Sequence, residues 1–195
     1  MDAYCRRRDF GRTPEPSGKR GKRKRGSYEG SSFVIQKHDA SSLHYDFRLE
    51  VGDVLRSWAV PKGLSTDPRD KRLAMPTEDH PIDYLDFEGV IEEGEYGAGT
   101  VIVWDTGEYR NLTEERGEEV PIERALDRGH AVIWLQGRKL RGGYTLQRIG
   151  KGSDTRWLVI KRRDEGADAR RNPVNTQPES VLSGQTIEQL AAEAK

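Results

Sequence analysis

Residues 43–50, LHYDFRLE, alternate without a break: Leu43, Tyr45, Phe47 and Leu49 are apolar, while His44, Asp46, Arg48 and Glu50 are polar. Side chains of a strand point to opposite faces in turn, so this stretch predicts a strand with one face in a core. Gly52-Asp53 supplies a tight turn, and residues 54–60 form the partner strand of a hairpin. Further strands are predicted at 33–37, 71–75, 100–105, 130–135, 143–149 and 156–161, with glycine-rich turns between many of them. Residues 77–87 lack clean alternation. Residues 121–128 read as a short helix stopped by Gly129, and 186–195 as an isolated amphipathic helix. Short strands and little helix imply an all-β domain, a small barrel or sandwich.

The formal charge is zero, but it is unevenly spread. Residues 1–30 hold ten Lys or Arg against four Asp or Glu, including the run KRGKRKR at 19–25. This segment has no period of 2 or 3.6 and reads as an irregular basic arm, either a solvated leader or a phosphate-backbone contact. Three parts are expected: the basic arm at 1–30, a β-barrel unit at 31–163, and an extension or linker at 164–195. No run of 18 apolar residues is present, so no membrane span is expected. The start lacks an apolar leader, and the single cysteine, Cys5, cannot form an internal disulfide. Both features fit a reducing, cytoplasmic setting.

Four histidines occur, and two of them, His38 and His44, lie within seven residues of one another, with Asp46 close behind. His44, Asp46 and Arg48 share one face of the strand, and the short loop 39–42 can fold His38 back toward them. Two imidazoles and one carboxylate suit a divalent transition metal such as Mn²⁺, Fe²⁺, Co²⁺ or Zn²⁺ and leave positions open for water and substrate. The same pattern also serves as an ordinary solvated strand face. Arg48 extends the polar face toward a phosphate, and Lys62, Arg72 and His80 add positive potential in the loops that follow. His80 can donate to a phosphoryl oxygen, act as a general acid, or simply bond a carboxylate. Neither a GxxxxGK[ST] loop nor a GxSxG elbow is present.

Residues 33–49, FVIQKHDASSLHYDFRL, resemble the metal-site signature of the 3′-phosphoesterase domain of bacterial DNA ligase D. Similar matches are SWAVPKG at 57–63, KRLA at 71–74, EDHPIDY at 78–84, DFEGV at 86–90 and GEYGAGTVIVW at 94–104. The resemblance spans residues 4–163 and implies a compact β-barrel with one or two short helices. It implies manganese-dependent (or cobalt-dependent) removal of 3′-terminal ribonucleosides, then of the 3′ phosphate, from a DNA primer–template during nonhomologous end joining. DNA ligase, polymerase and Ku proteins are the implied partners, and the nucleoid the implied place of work. By the same resemblance His38, His44 and Asp46 match metal ligands. Arg8, Arg48, Arg72 and His80 match phosphate-binding or catalytic positions, and Lys62 a further basic contact. Gln36, Asp9, Glu15 and Tyr84 match functionally important positions. Two other readings compete: a nucleic-acid-binding module without catalysis, and a two-His-one-carboxylate iron oxygenase.

Overall fold

The computed structural model describes residues 1–18, 31–150 and 152–194. The basic run at 19–25, with its expected phosphate contact, lies outside the described residues.

Eight antiparallel strands close into a barrel. In spatial order they are β1 (Ser31–Asp39), β2 (Leu43–Val51), β3 (Val54–Val60), β4 (Lys71–Pro76), β12 (Arg156–Lys161), β11 (Arg141–Ile149), β10 (His130–Gly137) and β7 (Gly99–Asn111), which returns to β1. Two short strands sit outside this circuit: β5 (His80–Pro81) on β3, and β6 (Gly89–Ile91) on β7. A small separate hairpin joins β8 (Glu114–Glu115) to β9 (Glu118–Glu119). The β2–β3 hairpin has a two-residue turn, with Val51 paired to Val54. Gly52 at its first position has φ 62°, as a primed turn with the strands' own twist requires.

The expected inner face of β2 is present. Tyr45, Phe47 and Leu49 join Phe33, Trp58, Trp104, Tyr144 and Trp157 in one core drawn from around the barrel. The polar face of β2 is buried as well: Asp46 is 6% and Arg48 3% exposed. A covering layer explains this. Tyr4, Tyr84, Leu85, Phe87 and Ile91 pack on Val34, Leu55, Val101 and Val103 as a second cluster. The layer is built from helix α1 (Asp2–Arg6), the 3₁₀ turn Ile82–Asp86, and β6. The non-alternating stretch 77–87 is therefore a cover for the barrel's outer wall.

Strand β7 runs well past the predicted 100–105. It crosses Gly107, where an added Cβ would stand 2.1 Å from the Gln136 carbonyl oxygen, so only glycine lets β7 and β10 approach. Helix α2 (Ile122–Arg128) ends at Gly129 in the left-handed conformation (φ 86°). The described residues hold four α-helical segments, none longer than seven residues.

Beyond β12 the chain lies against the barrel. The Trp104 indole N–H donates to the Gln177 carbonyl (2.7 Å), and the Val181 N–H donates to Val103 O (2.9 Å). The last helix, α4 (Ile187–Glu193), is not isolated: Ile187 is buried, and Thr186 with Gln189 forms a capping box. Among the described residues no helix is long and apolar enough to cross a membrane.

Candidate metal centre

The hairpin register places the triad. His38 and His44 face each other across β1 and β2, and Gln36 faces Asp46. One potential ligand atom from each of His38, His44 and Asp46 lies within 4.8 Å of the others. Asp46 Oδ2 is 3.5 Å from His38 Nδ1, and Asp46 Oδ1 is 3.7 Å from His44 Nε2. Donors about 2.1 Å from one ion stand about 3.4 Å apart at tetrahedral angles, so these spacings suit a first-row metal.

The far ring nitrogens fix which atoms face inward. His38 Nε2–H donates to Gly97 O at 2.9 Å, and His44 Nδ1–H donates to Ser42 O at 2.8 Å. Each bond leaves the opposite nitrogen with its lone pair toward Asp46, the tautomer a metal needs. Burial, the largest single influence, raises the Asp46 carboxyl, but the Arg48 guanidinium beside it helps hold it well below the usual carboxylate range. The set fits a divalent transition metal in charge, donor type and tautomer.

A cavity of about 280 Å³ opens on the triad and extends along the covering layer past Arg48, His80 and Arg8. Arg48 is held from several sides. It donates Nε–H to Gln36 Oε1 (2.8 Å), lies 3.1 Å from Asp46 Oδ2, and places Nη1 2.9 Å from His80 Nδ1. Gln36 in turn donates to the Tyr84 and Phe87 carbonyls (3.1 and 2.9 Å), so it positions Arg48 and ties the cover to β1. Arg8 enters from the N-terminal segment. It donates to Glu15 Oε1 (2.8 Å) and Glu78 Oε1 (3.1 Å), and its guanidinium lies 3.8 Å from the Tyr4 ring centre. Tyr84 O–H donates to Glu15 Oε1 at 2.7 Å, joining the two covering pieces.

His80 stands between the two guanidinium groups. Burial, then Arg48 and Arg8, push its pKa down to about 2, so the ring is neutral near pH 7. Its Nδ1 faces both a donor, Arg48 Nη1, and an acceptor, Glu78 O at 2.8 Å. It can serve only one at a time. When Nδ1 accepts from Arg48, Nε2 carries the proton; when Nδ1 donates to Glu78, Nε2 is a bare acceptor facing Arg8, 3.5 Å away.

Not every expected position gathers here. Lys62 and Arg72 line a separate depression of about 380 Å³ with Lys37 and Tyr45. Asp9 is exposed and accepts from Gly11 N–H, which organises the turn after α1. The sequence reading passed over Glu78 and Tyr96, which both line the cavity. It also passed over Gly97, whose contribution is a backbone carbonyl that no residue type announces.

The wider resemblance of the chain agrees with this geometry. Residues 36–148 match the family described as DNA Ligase D 3′-phosphoesterase domain, well over half of the chain. The chain belongs to that family. Its stretch of strongest chemistry, from Gln36 through His80, falls inside the match. The chain is 46% identical over 187 residues to a multifunctional non-homologous end joining protein LigD of Pseudomonas aeruginosa, covering 94% of this chain and 21% of the relative. It is 42% identical over 165 residues to a multifunctional non-homologous end joining DNA repair protein LigD of Mycobacterium tuberculosis, covering 85% and 20%. A LigD of Mycolicibacterium smegmatis is 42% identical over 171 residues, with 85% and 21% covered. This 3′-phosphoesterase family member thus spans about a fifth of the length of the curated relatives it matches. Family and triad together support a metal-dependent phosphoesterase.

Proposed function

We propose that the protein trims 3′ ends of DNA strands, first removing a terminal ribonucleoside from a primer and then the 3′ phosphate left behind, with Mn²⁺ as its metal and Co²⁺ as a substitute. The observation that carries this reading is the pair of histidine tautomers, each fixed by a backbone carbonyl, beside two guanidinium groups in one cavity.

Electrostatics favour an anionic substrate only in the loaded site. Among the described cavity residues, Arg8 and Arg48 face Asp46, Glu15 and Glu78, which leaves one net negative charge on the walls. A divalent ion reverses that sign. When bound, it supplies Lewis acidity at a phosphoryl oxygen. His38, His44 and Asp46 would hold it. Arg48 and Arg8 would offset charge on the transferring phosphoryl group. His80 serves as a neutral hydrogen-bond donor to a phosphoryl oxygen through Nε2–H, with Nδ1 accepting from Arg48. With its ring neutral near pH 7, His80 is assigned this donor role ahead of the general-acid role.

Lys62 and Arg72 are assigned to the strand leading away from the site. The barrel, 31–163, is the proposed catalytic unit, with 1–30 supplying Arg8 and Glu15 and 164–195 as its extension. Ligase, polymerase and Ku are proposed partners on the basis of the end-joining names of the relatives.

The test is cleavage of a 5′-labelled primer carrying one 3′-terminal ribonucleotide, annealed to a longer template, with Mn²⁺. A 3′-phosphate strand followed by a 3′-hydroxyl strand is expected. Salt-sensitive binding with no product would favour the non-catalytic nucleic-acid module instead.

A further inference from the structure

Among the described Phe, Tyr and Trp residues Tyr96 is the one that is exposed, at 45%, and it lies at the cavity that holds the triad. Its ring is held in place. The hydroxyl accepts from Arg7 Nη1 at 2.6 Å and lies 3.4 Å from Glu78 Oε2, to which it can donate. The Arg7 and Arg8 guanidinium carbons sit 4.8 and 5.4 Å from the ring centre. Glu78 is itself fixed by Arg8. The next residue, Gly97, provides the carbonyl that orients His38. The ring is therefore held at the rim of the cavity by its hydroxyl and by two guanidinium groups set over it, and nearly half of the residue stays open to solvent.

An anchored aromatic beside a phosphoryl site has an obvious use in nucleic-acid chemistry. Any base offers a π-face, and stacking on an aromatic ring is tolerant of sequence. We infer that Tyr96 is a stacking platform for the nucleobase of the 3′-terminal nucleoside, the group that leaves in the diester step. This rests on the end-processing reading above. It separates the two steps. A 3′-terminal ribonucleotide presents a base to the ring, whereas a 3′-phosphate strand has lost that nucleoside. Tyr96 should therefore matter more for the first step than for the second.

The experiment compares wild type, Tyr96→Leu and Tyr96→Phe on three primers: a 3′-terminal ribonucleotide, the same terminus with an abasic ribose, and a 3′ phosphate. Tyr96→Leu should lower kcat/KM for the ribonucleotide primer roughly 5- to 150-fold, the range carried by base–aromatic stacking. The abasic terminus should cost wild type a similar factor, and Tyr96→Leu should add little on that substrate. Phosphate removal should lose several-fold less than ribonucleoside removal does, and Tyr96→Phe, which keeps the ring but not its hydroxyl anchor, should retain most of the preference for a terminus that carries a base. Equal loss in both steps would overturn the inference, because it would mean that Tyr96 acts by holding Gly97 and His38.

A second readout does not depend on turnover. A primer ending in 2-aminopurine ribonucleoside, mixed rapidly with Mn²⁺-loaded protein, should show early quenching in wild type and Tyr96→Phe but not in Tyr96→Leu. Quenching without cleavage would leave the platform standing and refute the end-processing reading. No quenching in wild type would overturn the platform whatever the cleavage result.

Discussion

Protonating His80 would place a third positive charge between Arg48 and Arg8, in a pocket also walled by the Tyr4 and Tyr84 rings at 5.0 and 4.7 Å. Asp46 and the Glu78 carbonyl favour the charged ring but do not offset burial and the two arginines. Histidine in the unfolded chain titrates near 6.5. Between that value and the folded value of about 2, the unfolded chain holds a proton that the folded one does not. Stability therefore falls as pH drops below about 6.5, and the contribution reaches about 2 kcal/mol between pH 7 and pH 5. Asp46 acts later. Its depressed pKa stabilises the fold above the ordinary carboxylate range, near pH 4, and this is lost as pH falls further. Urea unfolding of metal-free wild type and His80→Gln at pH 7, 6 and 5 checks the account. The difference between them should shrink by about 2 kcal/mol toward pH 5; parallel pH profiles would contradict it.

At the scale of elements, the site depends on how β1 ends against β7. Gly99 has φ 140°, and a Cβ there would meet the Asp39 carbonyl oxygen at 2.1 Å, one residue beyond His38. Gly99→Ala should push the end of β1 outward. The expected loss is about 1–3 kcal/mol of stability and roughly tenfold or more in Mn²⁺ affinity. Gly52→Ala provides the contrast, because nothing lies within 4 Å of its added Cβ and its φ of 62° alone carries strain. It should lose about 1–2 kcal/mol with metal affinity intact. Titrating Mn²⁺ into both variants separates close approach from backbone strain.

Elements also show what could be read in advance. The alternation of β2 and the Gly52-Asp53 turn specified the β2–β3 hairpin, and the short 39–42 loop, by pairing β1 with β2, brought His38 to His44 and Asp46, because a register of two side chains per repeat leaves little freedom. The burial of Asp46 and Arg48 was not legible, since it comes from residues 77–91 and from α1, remote in sequence and without periodicity. Glu78 lies in the same aperiodic stretch, and only the folded chain brings Arg8 to it, 70 residues away in sequence.

At the scale of the whole molecule, the barrel is completed by chain at both ends. The N-terminal segment delivers Arg8 and Glu15, while the segment after β12 satisfies the Trp104 indole and the Lys139 ammonium through Gln177 O. Ending the chain at residue 163 would orphan these donors and expose the face that Ile187 covers. Each unmet buried group costs about 1–3 kcal/mol, so Tm should fall by about 10 °C relative to the full chain in a calorimetric scan. An unchanged Tm would show that residues 164–195 are a dispensable linker.

The central claim is that His38, His44 and Asp46 hold one catalytic metal. Electron paramagnetic resonance of Mn²⁺ titrated into wild type and Asp46→Asn, with cleavage of the ribonucleotide-ended primer followed in the same samples, tests it most directly. The account predicts one tightly held Mn²⁺ per wild-type chain and activity that rises with its occupancy. It predicts that both are lost in a folded Asp46→Asn protein. Full Mn²⁺ binding in the variant, or cleavage by wild type that ignores occupancy, would contradict it.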